Sequence, residues 1–429
     1  MKNPSKRITW KEISRQKFLM VCAAIFFVYG IVFYYVPLAG WVMAFQDYKP
    51  KDGLFGSKFV GLQKFKFLFS DDVFLRDIRN TLAMGVLNLV TTFLMAIIFA
   101  ILLNEVRNMF GKKLVQTVSY LPHFLSWIVV TGILHDALSS TGIINEMLVN
   151  LGILNSPINF FANPGYFWPI VAFANVWKET GWNAIIYLAA ITSIDPSLYE
   201  AAAIDGAGRW AKIKHVTLPG IKSTIMILLI MNIGNVLNAG FEVQYLLGNG
   251  LVKSVSETID IYTLTWGISQ NDYSLGTAAG IFKSFVSIIL IVIGLPNVPV
   301  KTDCSKGRVH MKIKSSTMDK VFVTFNTIFL VLFVTITLYP VLNTVALSFN
   351  DGIDAVRGGI HLWPRIFTLS NYKTVLHQQN ILTGAVVSVA RTVLGTIFSL
   401  VTNALLAYII SRKRFLFRSQ LSLFWVITM

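Results

Sequence analysis

Charge is scarce in this chain. Only 14% of its 429 residues are Asp, Glu, Lys or Arg, where a soluble domain averages about a quarter. Cysteine is scarcer still. Cys22 lies in an apolar run and Cys304 in a basic stretch, which excludes a disulfide framework or a cysteine metal site. No Gly-x-x-x-x-Gly-Lys-Ser/Thr sequence occurs, so the chain cannot hydrolyse ATP by the P-loop route. His-Glu-x-x-His, Gly-x-Ser-x-Gly and paired intramembrane aspartates are also missing, which argues against an intramembrane enzyme. His135-Asp136 fits an interfacial pair better than a metal site. No catalytic residue, metal or cofactor is expected.

What the chain has is apolar length. Hydrophobic residues make up 54%, and mean hydropathy is +0.62. A bilayer crossing needs roughly 20 apolar residues. Runs of that kind lie near 18–45, 81–103, 116–137, 166–191, 222–247 and 274–295, then 321–347 and 382–410, with a fragment from about 419. The fold class is therefore all-α, a polytopic membrane helical bundle. The first run is too long for a signal-peptide core and is read as a retained span.

Bases outnumber acids, 37 to 21, for a net charge of +16. In a soluble protein that excess would raise nucleic acid as a partner. Here the bases sit just outside apolar runs, where they set topology, and no nucleic acid is expected. Residues 1–17 carry Lys2, Lys6, Arg7, Lys11, Arg15 and Lys17 against Glu12. The loop 104–115 has Arg107, Lys112 and Lys113, and 192–221 has Arg209, Lys212 and Lys214. Residues 138–165 contain no Lys or Arg, and 248–273 only Lys253. The positive-inside rule then puts 1–17, 104–115 and 192–221 in the cytoplasm, with six spans up to residue 293.

The cytoplasmic stretch 200–219 resembles the EAA loop of ABC importer permeases. That pattern is Glu-Ala-Ala, three residues, Gly, then an apolar residue, a spacer and Leu-Pro. Here the places hold Glu200, Ala201, Ala202, Gly206, Val216, Leu218 and Pro219, with Asp205 beside the glycine. The alanines favour a helix and close approach, and Gly206 permits a turn. Glu200 is expected near a helix start, where a carboxylate suits the dipole. Leu218-Pro219 is expected to end the second helix, since the residue before proline leaves helix geometry. Trp177-Lys-Glu-Thr-Gly-Trp182 and Ile194-Asp-Pro196-Ser-Leu-Tyr199 add to a resemblance to carbohydrate-uptake permeases of the polysaccharide-oligomer (aldouronate/lipoprotein-type) group. The resemblance implies a permease importing sugars or oligosaccharides across a bacterial plasma membrane. It also implies a cytoplasmic ABC ATPase dimer, a second permease subunit and an extracellular solute-binding lipoprotein as partners, with membrane lipid around the bundle. An ion-coupled secondary sugar transporter is the alternative.

Span five carries Asn232, Asn235, Asn238 and Glu242, with Gln244 near its outer end. At about 100° per residue the first four share a third of a helix. Polar groups at membrane depth face a wet cavity or bond to neighbouring helices. The five are candidates for the translocation path. Lys178-Glu179 in span four is expected to pair internally, and Trp127, Trp168, Trp177 and Trp182 are expected at interfaces.

Past residue 311 the pattern restarts. Tyr35-Val-Pro37-Leu parallels Tyr339-Pro340-Val-Leu, and Leu62-Gln-Lys-Phe-Lys66 parallels Leu369-Ser-Asn-Tyr-Lys373. The expected organisation is a basic N-terminus at 1–17, a complete permease domain at 18–293 and an aberrant linker at 294–310. A truncated second permease-like unit follows at 311–429. Lys306-Gly-Arg-Val-His-Met311 can be back-translated to a purine-rich run ahead of a start codon. The chain thus reads as two fused frames, whose second half could be non-functional.

Overall fold

The computed structural model describes residues 14–294, 317–412 and 415–428. Most of the basic N-terminus, the expected linker 294–310 beyond its first residue, and the restart at Met311 lie outside the described residues.

The helices are α1 (Lys17–Gly30), α2 (Gln63–Ser70), α3 (Asp72–Asn104), α4 (Met109–Phe124), α5 (Trp127–Leu138), α6 (Ile143–Asn150) and α7 (Pro164–Thr192), then α8 (Pro196–Ile204), α9 (Arg209–Gly220), α10 (Lys222–Gly234), α11 (Phe241–Leu247) and α12 (Ile259–Tyr262). They continue with α13 (Tyr273–Gly294), α14 (Thr317–Ser348), α15 (Ser370–His377), α16 (Gln379–Ser411) and α17 (Arg418–Thr428). Among the described residues the strands are β1 (Gln46–Asp47) and β2 (Lys58–Phe59), a two-residue antiparallel pair.

Local chemistry fixes the starts. The Asp71 carboxylate accepts from Val73 N at 3.0 Å ahead of α3. Asn108 does the same for α4 and Asn163 for α7, where Pro164 stands at the first helical position. These caps satisfy amides that a helix start leaves without partners.

Six described helices are long and apolar enough to cross a membrane, or seven if the bent pair α9–α10 is one span. The expected runs match with three differences, the first being that α7, over the run expected at 166–191, is not among these helices. The third run is two helices, broken at Leu125-Ser126, and the fifth stops at Gly234. α7 has 29 residues; its amides, Lys178 and Glu179 make it more polar than the other spans. Within its unit α7 packs chiefly along α3 and α4.

The chain divides into two compact units, and this partition differs from that of the repeat. One unit is 61–369. Inside it α3 and α7 lie side by side, burying Phe99, Ala100, Leu103, Ala184, Tyr187 and Ile191, and Leu330 of α14 joins the same cluster. A second cluster packs Met84, Val130, Val171, Ala174, Trp177 and Val243. The other unit is 1–60 with 370–429. There Cys22, Ala23 and Phe26 of α1 pack on Ile409, Phe415 and Leu421. Tyr35 stacks on Phe424 at 5.4 Å and meets Thr428 Oγ1 at 3.3 Å.

Candidate functional site: a helix–turn–helix loop and an amide-lined wall

The loop 195–220 folds as a helix, a turn and a second helix. α8 starts at Pro196 and not at Glu200. Asp195 caps it, accepting from Ser197 N at 2.9 Å, and that hydrogen bond holds the Asp195 carboxyl below its ordinary range. Glu200 therefore sits one turn inside the helix, exposed. α8 ends in a double hydrogen bond: Ala207 N donates to Ala202 O at 2.8 Å and Gly206 N to Ala203 O at 3.1 Å. This closure needs a left-handed residue after the cap, and Gly206 supplies it at φ +76°.

The second helix corrects the expectation at Leu218-Pro219. Leu218 is helical, and the 61° bend comes later, at Ile221. Proline removes one N–H and crowds the carbonyl four residues back. Here a wide turn at Ile213–Thr217 absorbs both effects, and Leu218 N reaches Ile213 O. The Tyr199 hydroxyl meets Thr217 Oγ1 at 2.9 Å, tying α8 to α9. Ile213 is buried and Val216 half-buried. On the outside Ile204 is 77% and Trp210 67% exposed, with Leu198, Ala201, Ala203, Leu218 and Pro219 also exposed and Ala202 half-buried.

The membrane part is built on two broken spans. In span five, α10 stops at Gly234 and α11 starts after Gly240 at φ +86°. Asn235 and Asn238 thus lie in the break, and the single helical face expected for Asn232, Asn235, Asn238 and Glu242 does not exist. The four are nonetheless exposed, and Asn238 Nδ2 donates to Asn235 Oδ1 at 3.1 Å. Gln244 corrects the path reading. It is fully buried and donates to Ala239 O at 2.6 Å, so it holds the break from inside.

Two residues that sequence reading passed over hold the same break. Asn88 of α3 donates to Ala239 O at 3.4 Å, and Asn175 of α7 donates to Asn88 Oδ1 at 3.3 Å. Gly85 lets the break approach, because an added Cβ would fall 1.9 Å from Val236 O. Asn175, Glu179 and Asn183 recur every fourth residue of α7, a polar stripe visible in the sequence. A cavity of about 70 Å³ lies among Asn88, Thr92, Asn183, Tyr187 and Asn232.

Span three breaks beneath Lys178. Its ammonium donates to the carbonyls of Pro122 (3.2 Å), His123 (2.7 Å) and Leu125 (2.7 Å), and lies 5.5 Å from the Trp127 ring centre. The His123 and Leu125 carbonyls stand at the broken end of α4 with no further helical turn to bond to, while Pro122 O also accepts from Leu125 N at 3.1 Å. Glu179 takes His123 Nδ1 at 2.9 Å, and His123 stacks on Trp182 at 4.3 Å. Lys178 and Glu179, expected to pair with each other, stand 3.9 Å apart, and each makes its shorter contacts elsewhere. A much larger cavity, about 1200 Å³, lies away from this wall between α5, α6, α7 and α14, among Ile133, Phe173, Trp177, Ile336 and Tyr339.

Residues 92–297 match the family described as binding-protein-dependent transport system inner membrane component. The chain is 45% identical over 292 residues to the polygalacturonan/rhamnogalacturonan transport system permease protein YteP of Bacillus subtilis (strain 168), covering 68% of this chain and 90% of that one. It is 42% identical over 287 residues to protein LplB of the same organism, covering 67% and 90%. Among solved structures it resembles a chain of the bacterial alginate ABC transporter in complex with an alginate pentasaccharide-bound periplasmic protein. That likeness has 38% identity and a TM-score of 0.61 over 66% of this chain and 95% of the other. A multi-pass bundle carrying an exposed helix–turn–helix, matched over almost the whole length of these relatives, belongs to the binding-protein-dependent inner membrane components, the permeases of ABC importers.

Proposed function

We propose that the chain moves an oligosaccharide inward across the plasma membrane, driven by a separate ABC ATPase dimer that docks on Glu200–Pro219. The observation that carries this reading is the Gly206 turn, which fixes α8 against α9 and leaves Ile204 and Trp210 bare. Leu198, Ile204, Trp210 and Leu218 are all exposed on this one loop, and apolar surface gathered in one place marks an interaction site where scattered apolar residues do not. The loop's bases support a cytoplasmic position, together with a cytoplasmic N-terminus. Glu200, Ala201, Ala202, Asp205 and Gly206 form one side of the docking element, and Val216, Leu218 and Pro219 connect it to the bend before span five. ATPase closure would pull the loop and re-aim the break at 235–240.

Gly206→Val is the test. A β-branched residue at φ +76° is strained by roughly 1–3 kcal/mol. Uptake should fall at least a hundredfold, and ATPase co-purification should fall with it, while membrane insertion stays normal. Wild-type uptake in this variant would remove the coupling role.

The solute follows from the wall and the relatives. Hydroxyl-rich rings need amide donors and acceptors, which Asn232, Asn235, Asn238 and Glu242 offer from an exposed break. YteP is named for pectic polymers and the structural relative for alginate, so an oligosaccharide is the proposed cargo. A second permease would supply the facing wall, and an extracellular binding lipoprotein would deliver the sugar. Cysteines at positions 232, 235 and 238 should react with a small water-soluble thiol reagent at least tenfold faster than one at buried Val243. Uniform inertness would instead make these amides interhelical contacts.

A further inference from the structure

α9 begins without a cap of its own. Gly208 precedes Arg209 and has no side chain to offer, whereas α8 has Asp195. The Arg209 N–H instead donates to Oδ1 of Asp319 at 3.2 Å, a residue 110 positions later in the first turn of α14. The Arg209 guanidinium turns toward Glu105 at the end of α3, with Nη1 3.7 Å from Oε2 and both side chains under a fifth exposed. Burial pushes the Glu105 carboxyl up, Asp319 adds to the rise, and Arg209, Lys212 and Arg107 oppose it.

Farther along, α14 is fixed to α3. Asn326 Nδ2 donates to Leu102 O at 2.9 Å, Leu330 is 3% exposed, and the Phe333 ring lies 4.7 Å from Phe99. The start of α9, the end of α3 and the start of α14 therefore meet at one charged knot.

We propose that Asp319 is a positioning residue of the coupling loop: from the first helix of the second repeat it supplies the N-cap that α9 lacks, so that force on the loop reaches α14 as well as span five. This rests on reading Glu200–Pro219 as the coupling loop. An N-cap needs a short side-chain acceptor and not a charge, and Asn caps as well as Asp.

The test uses the full chain in lipid nanodiscs. Asp319→Ala should speed hydrogen exchange of the amides at 209–212 by about tenfold, leave α3 and α7 protected as before, and cut co-purification of the ABC ATPase. Asp319→Asn should restore both to within about twofold, a rescue that a general packing defect would not give. Unchanged exchange in Asp319→Ala, or failure of Asn to rescue, overturns the proposal. Gly206→Val is run alongside. If it loses the ATPase while Asp319→Ala keeps it, the inference is wrong and the coupling loop stands. If no variant loses the ATPase, the loop reading falls and takes the inference with it.

Discussion

Replacing Lys178 by Met is expected to destabilise the chain by roughly 2–4 kcal/mol, because it removes hydrogen bonds from a charged donor, worth about 1.5–3 kcal/mol each and not simply additive. The ammonium is 5% exposed and bonds to three carbonyls at the broken end of α4. Methionine keeps the length and the apolar stem but leaves the His123 and Leu125 carbonyls without the ammonium, Pro122 O keeping its bond from Leu125 N at 3.1 Å; each lost partner is a desolvation penalty of about 1–3 kcal/mol, and the two do not simply add. Lys178→Arg should recover little, because a planar guanidinium cannot aim at three convergent carbonyls as a rotating ammonium can. Thermal unfolding in nanodiscs reads the effect. A Met variant within 1 kcal/mol of wild type, on the order of the weakest single hydrogen bond, would mean that water or lipid already serves those carbonyls.

Gly85→Ala should be nearly as damaging, by a different route. The new Cβ would sit 1.9 Å from Val236 O and 2.9 Å from its carbonyl carbon. The clash is with backbone, and no rotamer change moves a Cβ. Either α3 or the break at 235–240 must shift, at a cost of roughly 1–3 kcal/mol or more. Labelling of a cysteine at position 238 should change about tenfold in this background if that shift displaces the break. Gly132→Ala is the control, because nothing lies within 4 Å of its added Cβ. Equal behaviour of the two variants would show that the close approach at Gly85 is unimportant.

These two residues also mark where sequence reading stopped. The spans were legible because lipid forces every backbone polar group into a helix, so length and apolarity suffice. The loop was legible in part: Gly206 marked the turn, but the helix start set by Asp195-Pro196 was passed over in favour of Glu200. The breaks were not. Pro122 and Ser126 hint at one, Gly234 and Gly240 at the other, but a helix opens inside a membrane only where another span supplies partners. Those partners, Lys178 for span three and Asn88 with Gln244 for span five, lie far off in sequence or across the break. For the same reason the face drawn for Asn232, Asn235, Asn238 and Glu242 on an unbroken helix failed, and Gln244, placed in the path beside that face, turns its side chain inward. Pro219 was misjudged because the wide turn that relieves it has no residue signature.

The pairing of α1 with the last helices has a consequence for biosynthesis. Tyr35 and its hydrogen-bond partner Thr428 are 393 residues apart. At about 5–20 residues per second, α1 must wait roughly 20–80 s for these partners to be made. Until then its Cys22, Ala23 and Phe26 lack the Ile409, Phe415 and Leu421 that bury them in the folded chain.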